Sequence, residues 1–118
     1  MSLKTEYSFT LPKGYVDDSG TLHRTGIMRL ASARDEIEPL RDPRVKENEA
    51  YATVIVLARV VTELGTVHRV TTKTIESLFV SDFGYLQDLY RIINFQDASI
   101  LDSMEPGTPF RTESVEVA

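Results

Sequence analysis

Hydrophobic and polar residues alternate near the start of the chain. Tyr7, Phe9 and Leu11 are separated by Ser8 and Thr10, the period of a half-buried strand. Pro12 and Gly14 are expected to break or bend it. A second extended stretch is predicted from about Thr21 to Leu30, carrying Leu22, Ile27, Met28 and Leu30, with Gly26 as a candidate bulge. Between them, Asp17-Asp18-Ser19-Gly20 reads as a turn, since Asp and Ser bond nearby backbone and Gly accepts positive φ. Residues 5–31 therefore read as a β-hairpin or ribbon.

Residues 34–47 change the pattern. Charges of both signs surround Ile37, Leu40 and Val45, and Pro39 and Pro43 forbid one continuous helix. A solvated connector with short helices or turns ahead of each proline is expected. From Asn48, a suitable cap, "EAYATVIVLARVVTEL" runs without a breaker to Gly65. Its β-branched content also suits a buried strand, but its length favours one helix. Tyr51, Val54, Ile55, Ala58 and Val61 share a face, widened by Leu57, Val60 and Leu64.

Two more helices are predicted. Thr71 or Thr72 caps one with Ile75, Leu78 and Phe79 on its apolar side. Ser81 caps the other, with Asp82 in its first turn. This last helix has two stripes, Phe83/Leu86/Tyr90/Ile93 and Tyr85/Leu89/Ile92. Beyond Phe95 the composition loosens into Gly, Pro, Ser, Thr and Glu, and residues 96–118 read as a flexible tail. The fold class is thus α+β: an N-terminal β-hairpin or ribbon, then a small bundle of about three helices, as one domain over residues 1–95.

With 118 residues, 42% hydrophobic and 26% charged, the chain has the size and composition of one soluble domain. A net charge of −5 argues against nucleic acid and anionic membrane surfaces as partners. No cysteine is present, which removes disulfides, thiolate ligands and a cysteine nucleophile. The N-terminus lacks the apolar stretch of a signal peptide, and no apolar run has the roughly 20 residues of a spanning helix.

Candidate chemistry is sparse. Asp18-Ser19-Gly20-Thr21 matches the tetrapeptide around an aspartic protease carboxylate. That chemistry needs two carboxylates sharing a proton in a dry, β-rich site. Here Asp17 adds a charge beside Asp18 and the second half is helical, so Asp18 reads as a turn acid. His23 and His68 belong to no metal-ligand spacing, and Asp17-x-Ser19 lacks a calcium ladder. Gly14, Gly20 and Gly26 lie on extended chain, unlike a phosphate loop. Ser81-x-x-Gly84 reads as a cap. No catalytic residue, metal or cofactor is expected, and the residues alone suggest a binding module.

The ordered text is more specific. Gly14-Tyr15-Val16-Asp17, Gly20-Thr21-Leu22-His23-Arg24 and Met28-Arg29-Leu30-Ala31 are followed by Pro39-Leu40-Arg41-Asp42-Pro43-Arg44-Val45 and Leu86-Gln87-Asp88-Leu89-Tyr90. Over about residues 7–95 this resembles the small tail assembly proteins of phages and phage-derived contractile injection systems. Where that family often has Asn-Pro-Ala-Tyr, this chain has Asn48-Glu49-Ala50-Tyr51, and Glu serves equally well at a first helical position. The resemblance implies a non-enzymatic tail assembly chaperone. It would keep the long helical tape-measure protein soluble, in the cytoplasm of the producing bacterium or in association with the particle. Tyr85, Leu89 and Ile92 are then the expected contact stripe, so that Leu89→Asp should abolish binding and leave the fold intact. A second reading is a structural subunit retained at the baseplate, tube end or cap, joined through strand addition on the Phe9/Leu11 face.

Overall fold

The computed structural model describes residues 3–96, 99 and 101. The ribbon forms as its alternation predicts. Strands β1 (Glu6–Val16) and β2 (Leu22–Arg29) pair antiparallel, with Tyr7 opposite Met28 and Tyr15 opposite His23. The register slips between Thr10 and Tyr15, the stretch holding Pro12 and Gly14, whose φ is +111°. These two residues bend the strand without ending it. β1 is an edge strand, where a missing N–H is tolerated.

The largest departure from expectation lies at residues 61–64. Helix α3 spans only Tyr51–Val60, and Val61–Leu64 form a third strand, β3, giving the sheet order β1-β2-β3. The backbone becomes extended at Val61 with no loop between, so an uninterrupted apolar run conceals two elements. Met28 pairs with Val61 and Ile27 with Glu63, leaving Thr62 as an extra residue. That bulge lets Val61 and Leu64, at an odd spacing, share one buried face.

The bulge expected at Gly26 therefore falls one step away, between Ile27 and Met28. Gly26 has a different reason to be glycine: a Cβ there would overlap the Glu63 carbonyl oxygen and the Phe9 ring. We expect Gly26→Ala to cost about 1–3 kcal/mol, the range for forcing atoms into a packed site. Urea titration should show a lower midpoint with an unchanged slope.

The charged connector holds three short elements: α1 (Ala33–Ile37), a 3₁₀ turn (Glu38–Arg41) and α2 (Pro43–Glu47). A short element lies ahead of each proline as expected, and Pro39 and Pro43 each stand in the first turn of the next one. The segment is not merely solvated, because Asp35, Pro39 and Val45 are buried. Asp35 takes a two-pronged bond from Arg29 of β2 at 2.7 and 3.0 Å, and another from Arg59 of α3 at 2.9 Å. The Ser32 N–H also donates to it at 2.8 Å, and Arg59 continues to Glu38 at 3.0 Å. One carboxylate thus joins sheet, connector and α3.

Chiefly the Arg29 guanidinium, with the Ser32 N–H and Arg59, holds the Asp35 carboxyl well below the usual carboxylate range. An unfolded Asp titrates near 3.9. The folded value is depressed, so this stabilisation is present above about pH 4 and is lost as pH falls toward the folded value. Asp35→Asn should therefore melt lower than the parent at pH 7, with the gap narrowing as pH falls below about 4. A constant gap across that range would disconnect Asp35 from the acid response.

Helix α4 (Thr72–Glu76) is capped by Thr71, whose hydroxyl accepts from the Thr74 N–H. Helix α5 (Val80–Phe95) starts one residue before Ser81, with Phe79 at its cap. Both of its apolar stripes turn inward: Tyr85, Leu86, Leu89, Ile92 and Ile93 are all buried. They join Phe9, Leu11 and Met28 of the sheet, Leu57 and Val60 of α3, and Ile75 and Leu78 in one core. Side chains pin both ends of α5 to the ribbon. The Asp82 carboxylate accepts the Lys13 and Gly14 N–H groups at 2.8 and 2.9 Å, and Asn94 Oδ1 accepts the Ala31 N–H at 3.0 Å. Of the expected tail, Gln96 ends α5 and Leu101 is half-buried against the core, whereas most of residues 96–118 lie outside the described residues.

Candidate functional site

The residues expected to form contact surfaces are core residues. Tyr85 is 7% exposed, Leu89 1%, Ile92 3%, Phe9 5% and Leu11 0%. The reason lies in the sheet and α3 together, which need both stripes of α5 to close the core. Strand addition at the Phe9/Leu11 face is blocked twice. Those side chains are buried, and the edge is engaged over residues 10–14. The Thr10 backbone bonds to the Tyr85 hydroxyl, Asp82 takes Lys13 and Gly14, and Pro12 has no N–H to offer.

The turn holding the protease-like tetrapeptide is organised by Asp17 and not by Asp18, which is exposed. Asp17 Oδ1 accepts the Ser19 N–H, the Ser19 hydroxyl and the Thr21 N–H at 2.8–2.9 Å. Its other oxygen meets Nε2 of the buried His23 at 2.8 Å. Nδ1 of that ring accepts the Thr66 N–H at 3.3 Å, so the ring hydrogen sits on Nε2 and is donated to Asp17. The His23 bond, then Thr21 and Ser19, hold the Asp17 carboxyl well below its ordinary range. Both ring nitrogens are thereby engaged in holding the hairpin end to the segment after β3. His68 is exposed, on the far side of that segment in sequence. Among the described residues, no three His, Asp or Glu side chains are placed to share a metal ion, and no helix is long and apolar enough to cross a membrane.

A different surface has the form of a binding site. Between α3 and α5 runs a groove of about 400 Å³, lined by Ala52, Thr53, Val56 and Leu57 of α3 and Gln87, Tyr90, Arg91 and Phe95 of α5, with Glu36 of α1. That volume lies within the range of ligand-sized pockets. The α3 side offers small and branched apolar groups one turn apart. The α5 side offers Gln87, Arg91 and Phe95 at i, i+4 and i+8, which the helix places on one line.

Polar groups on the rim are held in place. Arg91 donates to Asp88 at 2.8 Å, and the Tyr90 hydroxyl donates to Glu36. Burial and this carboxylate push the Tyr90 hydroxyl well above its ordinary value, so it remains a donor throughout the physiological range. Phe95 is 66% exposed and edge-on to Tyr90. Glu36, Tyr90 and Phe95 also line a smaller hollow of about 170 Å³ with Ala31, Ser32, Ala33 and Asn94.

The sequence pattern did not single out this line. Gln87, Arg91 and Phe95 fall on the side of α5 away from its two apolar stripes, where a mixed-polarity row looks like a solvated face. The signal available was Phe95 itself, a large aromatic ending a helix whose apolar positions were already assigned. Comparison with models of known protein families, with curated proteins and with solved structures gives no match.

Proposed function

We propose that this chain is a non-enzymatic tail assembly chaperone whose α3–α5 groove receives an amphipathic helix of the tape-measure protein. The observation that carries this reading is the groove itself, a largely apolar channel between two helices with an exposed aromatic in its lining. Such channels suit helices that present anchors at i, i+3, i+4 and i+7. The sequence resemblance supplies the kind of partner: a long helical rod whose apolar face aggregates unless covered. The groove replaces Tyr85, Leu89 and Ile92 as the contact surface.

The test is co-purification of the tape-measure protein with this chain from lysate of the producing cell. Ala52→Asp puts a charge on the groove floor, yet an acid in the first turn of α3 suits the helix dipole. Together with Phe95→Ala, which removes the exposed aromatic of the lining, it should weaken binding by tenfold or more, while the circular dichroism spectrum stays that of the parent. Unchanged binding in the double variant would remove the groove from the reading.

A second reading, a subunit kept in the finished particle, draws on other exposed apolar groups. Val16 and Leu22 form the last cross-strand pair of the hairpin, 48% and 54% exposed, and Phe79 and Val80 are 51% and 86% exposed. Quantitative mass spectrometry of purified particles separates the two. Absence from particles supports the chaperone, and a fixed copy number makes the chain a structural component.

A further inference from the structure

We propose that the small hollow beside the α3–α5 groove, walled by Glu36, Tyr90 and Phe95, receives a lysine or arginine side chain of the helix that the groove binds. The proposal rests on the groove reading and adds to it the charge of the partner and the direction in which it lies.

The first support is continuity. The hollow, about 170 Å³, shares Glu36, Tyr90 and Phe95 with the larger groove, so a helix lying in the groove can extend a long side chain into it.

The second is charge. Glu36 is exposed, and among the described residues no cation forms an ion pair with it. The cations of this neighbourhood are matched elsewhere: Arg29 and Arg59 meet Asp35, Arg34 meets Glu38, and Arg91 meets Asp88. The Tyr90 hydroxyl donates to Glu36 but brings no charge with it. The end of α5 adds to the imbalance. Its last carbonyls form the negative pole of the helix dipole, and no basic residue stands in its last turn.

The third is the pair of rings. Tyr90 and Phe95 meet edge-on with centroids 6.2 Å apart, and most of the Phe95 side chain is open to solvent. Aromatic faces attract ammonium and guanidinium groups. A long basic side chain can lay its methylenes on such a ring while its charged head reaches the carboxylate. An acid in the same place would face Glu36 as a like charge, which disfavours a wrong partner or a wrong register. The docked helix therefore points its basic residue toward the end of α5 and away from Gln87.

Overlapping peptides of the tape-measure protein test this against the fluorescently labelled full-length chain. Each peptide is made in its native form and with every Lys and Arg replaced by Gln. At low salt, the native peptides that bind should lose about fivefold in affinity on that replacement, the scale of one partly exposed ion pair beside a ring. The Glu36→Gln chain, whose amide oxygen still accepts from Tyr90, should bind both forms alike. Asp18→Asn removes the same unit of charge from the exposed hairpin turn and should keep the gap. Glu36→Arg should prefer peptides in which Glu replaces the basic residues. Equal binding of native and Gln peptides by the parent chain would overturn the proposal and leave the groove reading standing. So would a gap that survives Glu36→Gln, or one that Asp18→Asn also closes, since net charge would then be acting at a distance. Binding of no peptide by the parent chain would overturn the groove reading and this proposal together.

Discussion

Replacing Leu89 by Asp is expected to unfold the protein. Leu89 is 1% exposed at the centre of α5, in one core with Phe9, Leu11, Met28 and Leu57. An isolated ionised carboxylate in apolar surroundings costs more than the 5–15 kcal/mol that usually separates folded from unfolded chains. The variant should show no cooperative melt and a reduced helical circular dichroism signal at pH 7. Leu89→Ala supplies the graded companion, with a loss of about 2–5 kcal/mol from methylene removal and the cavity left behind. A folded, cooperatively melting Leu89→Asp protein would return Tyr85, Leu89 and Ile92 to the surface and take the groove assignment down with it.

The second large effect is expected at Asp82. As a first-turn acid it would contribute only about 0.3–1 kcal/mol through the helix dipole. Its side chain, however, is fully buried and accepts two backbone N–H groups from the bulged part of β1. Asp82→Ala removes two charge-assisted bonds and leaves at least one buried N–H, that of Gly14, without its acceptor. A loss of about 3 kcal/mol follows, against at most about 1 kcal/mol for the dipole alone. Asp82→Asn, which keeps one acceptor oxygen, should fall between. Chemical denaturation at low and high salt decides the matter: a small loss that vanishes in salt would reduce Asp82 to a dipole acid.

Local chemistry explains which parts of this architecture were readable from sequence. The ribbon announced itself because Tyr7, Phe9 and Leu11 alternate against one buried face, and because Asp17 to Gly20 can only turn. The cap at Thr71 follows from a residue type that bonds its own helix end, whereas the helices expected to start at Asn48 and Ser81 have Ala50 and Phe79 at their caps. The junction of α3 and β3 was concealed. Val60 and Val61 suit helix and strand alike, and the choice is made by the free edge of β2, which lies more than thirty residues away in sequence. The connector misled in the opposite direction. Asp35 looks like one acid among many, and only the arrival of Arg29 and Arg59 makes it a buried junction. The groove was hidden for a related reason: Ala52, Thr53 and Val56 become a floor only when α5 lies alongside.

The pinning of α5 to the ribbon also bears on how the protein is made. Asp82 meets Gly14 across 68 positions, and Asn94 meets Ala31 across 63. A nascent chain carrying only β1, β2, α3 and β3 presents a sheet with about half its core missing and the N–H groups of Lys13, Gly14 and Ala31 unanswered. Stable structure must therefore wait until α5 has cleared the ribosome. Until α5 arrives, the apolar face of the ribbon stands uncovered, and the emerging chain is itself open to premature contacts.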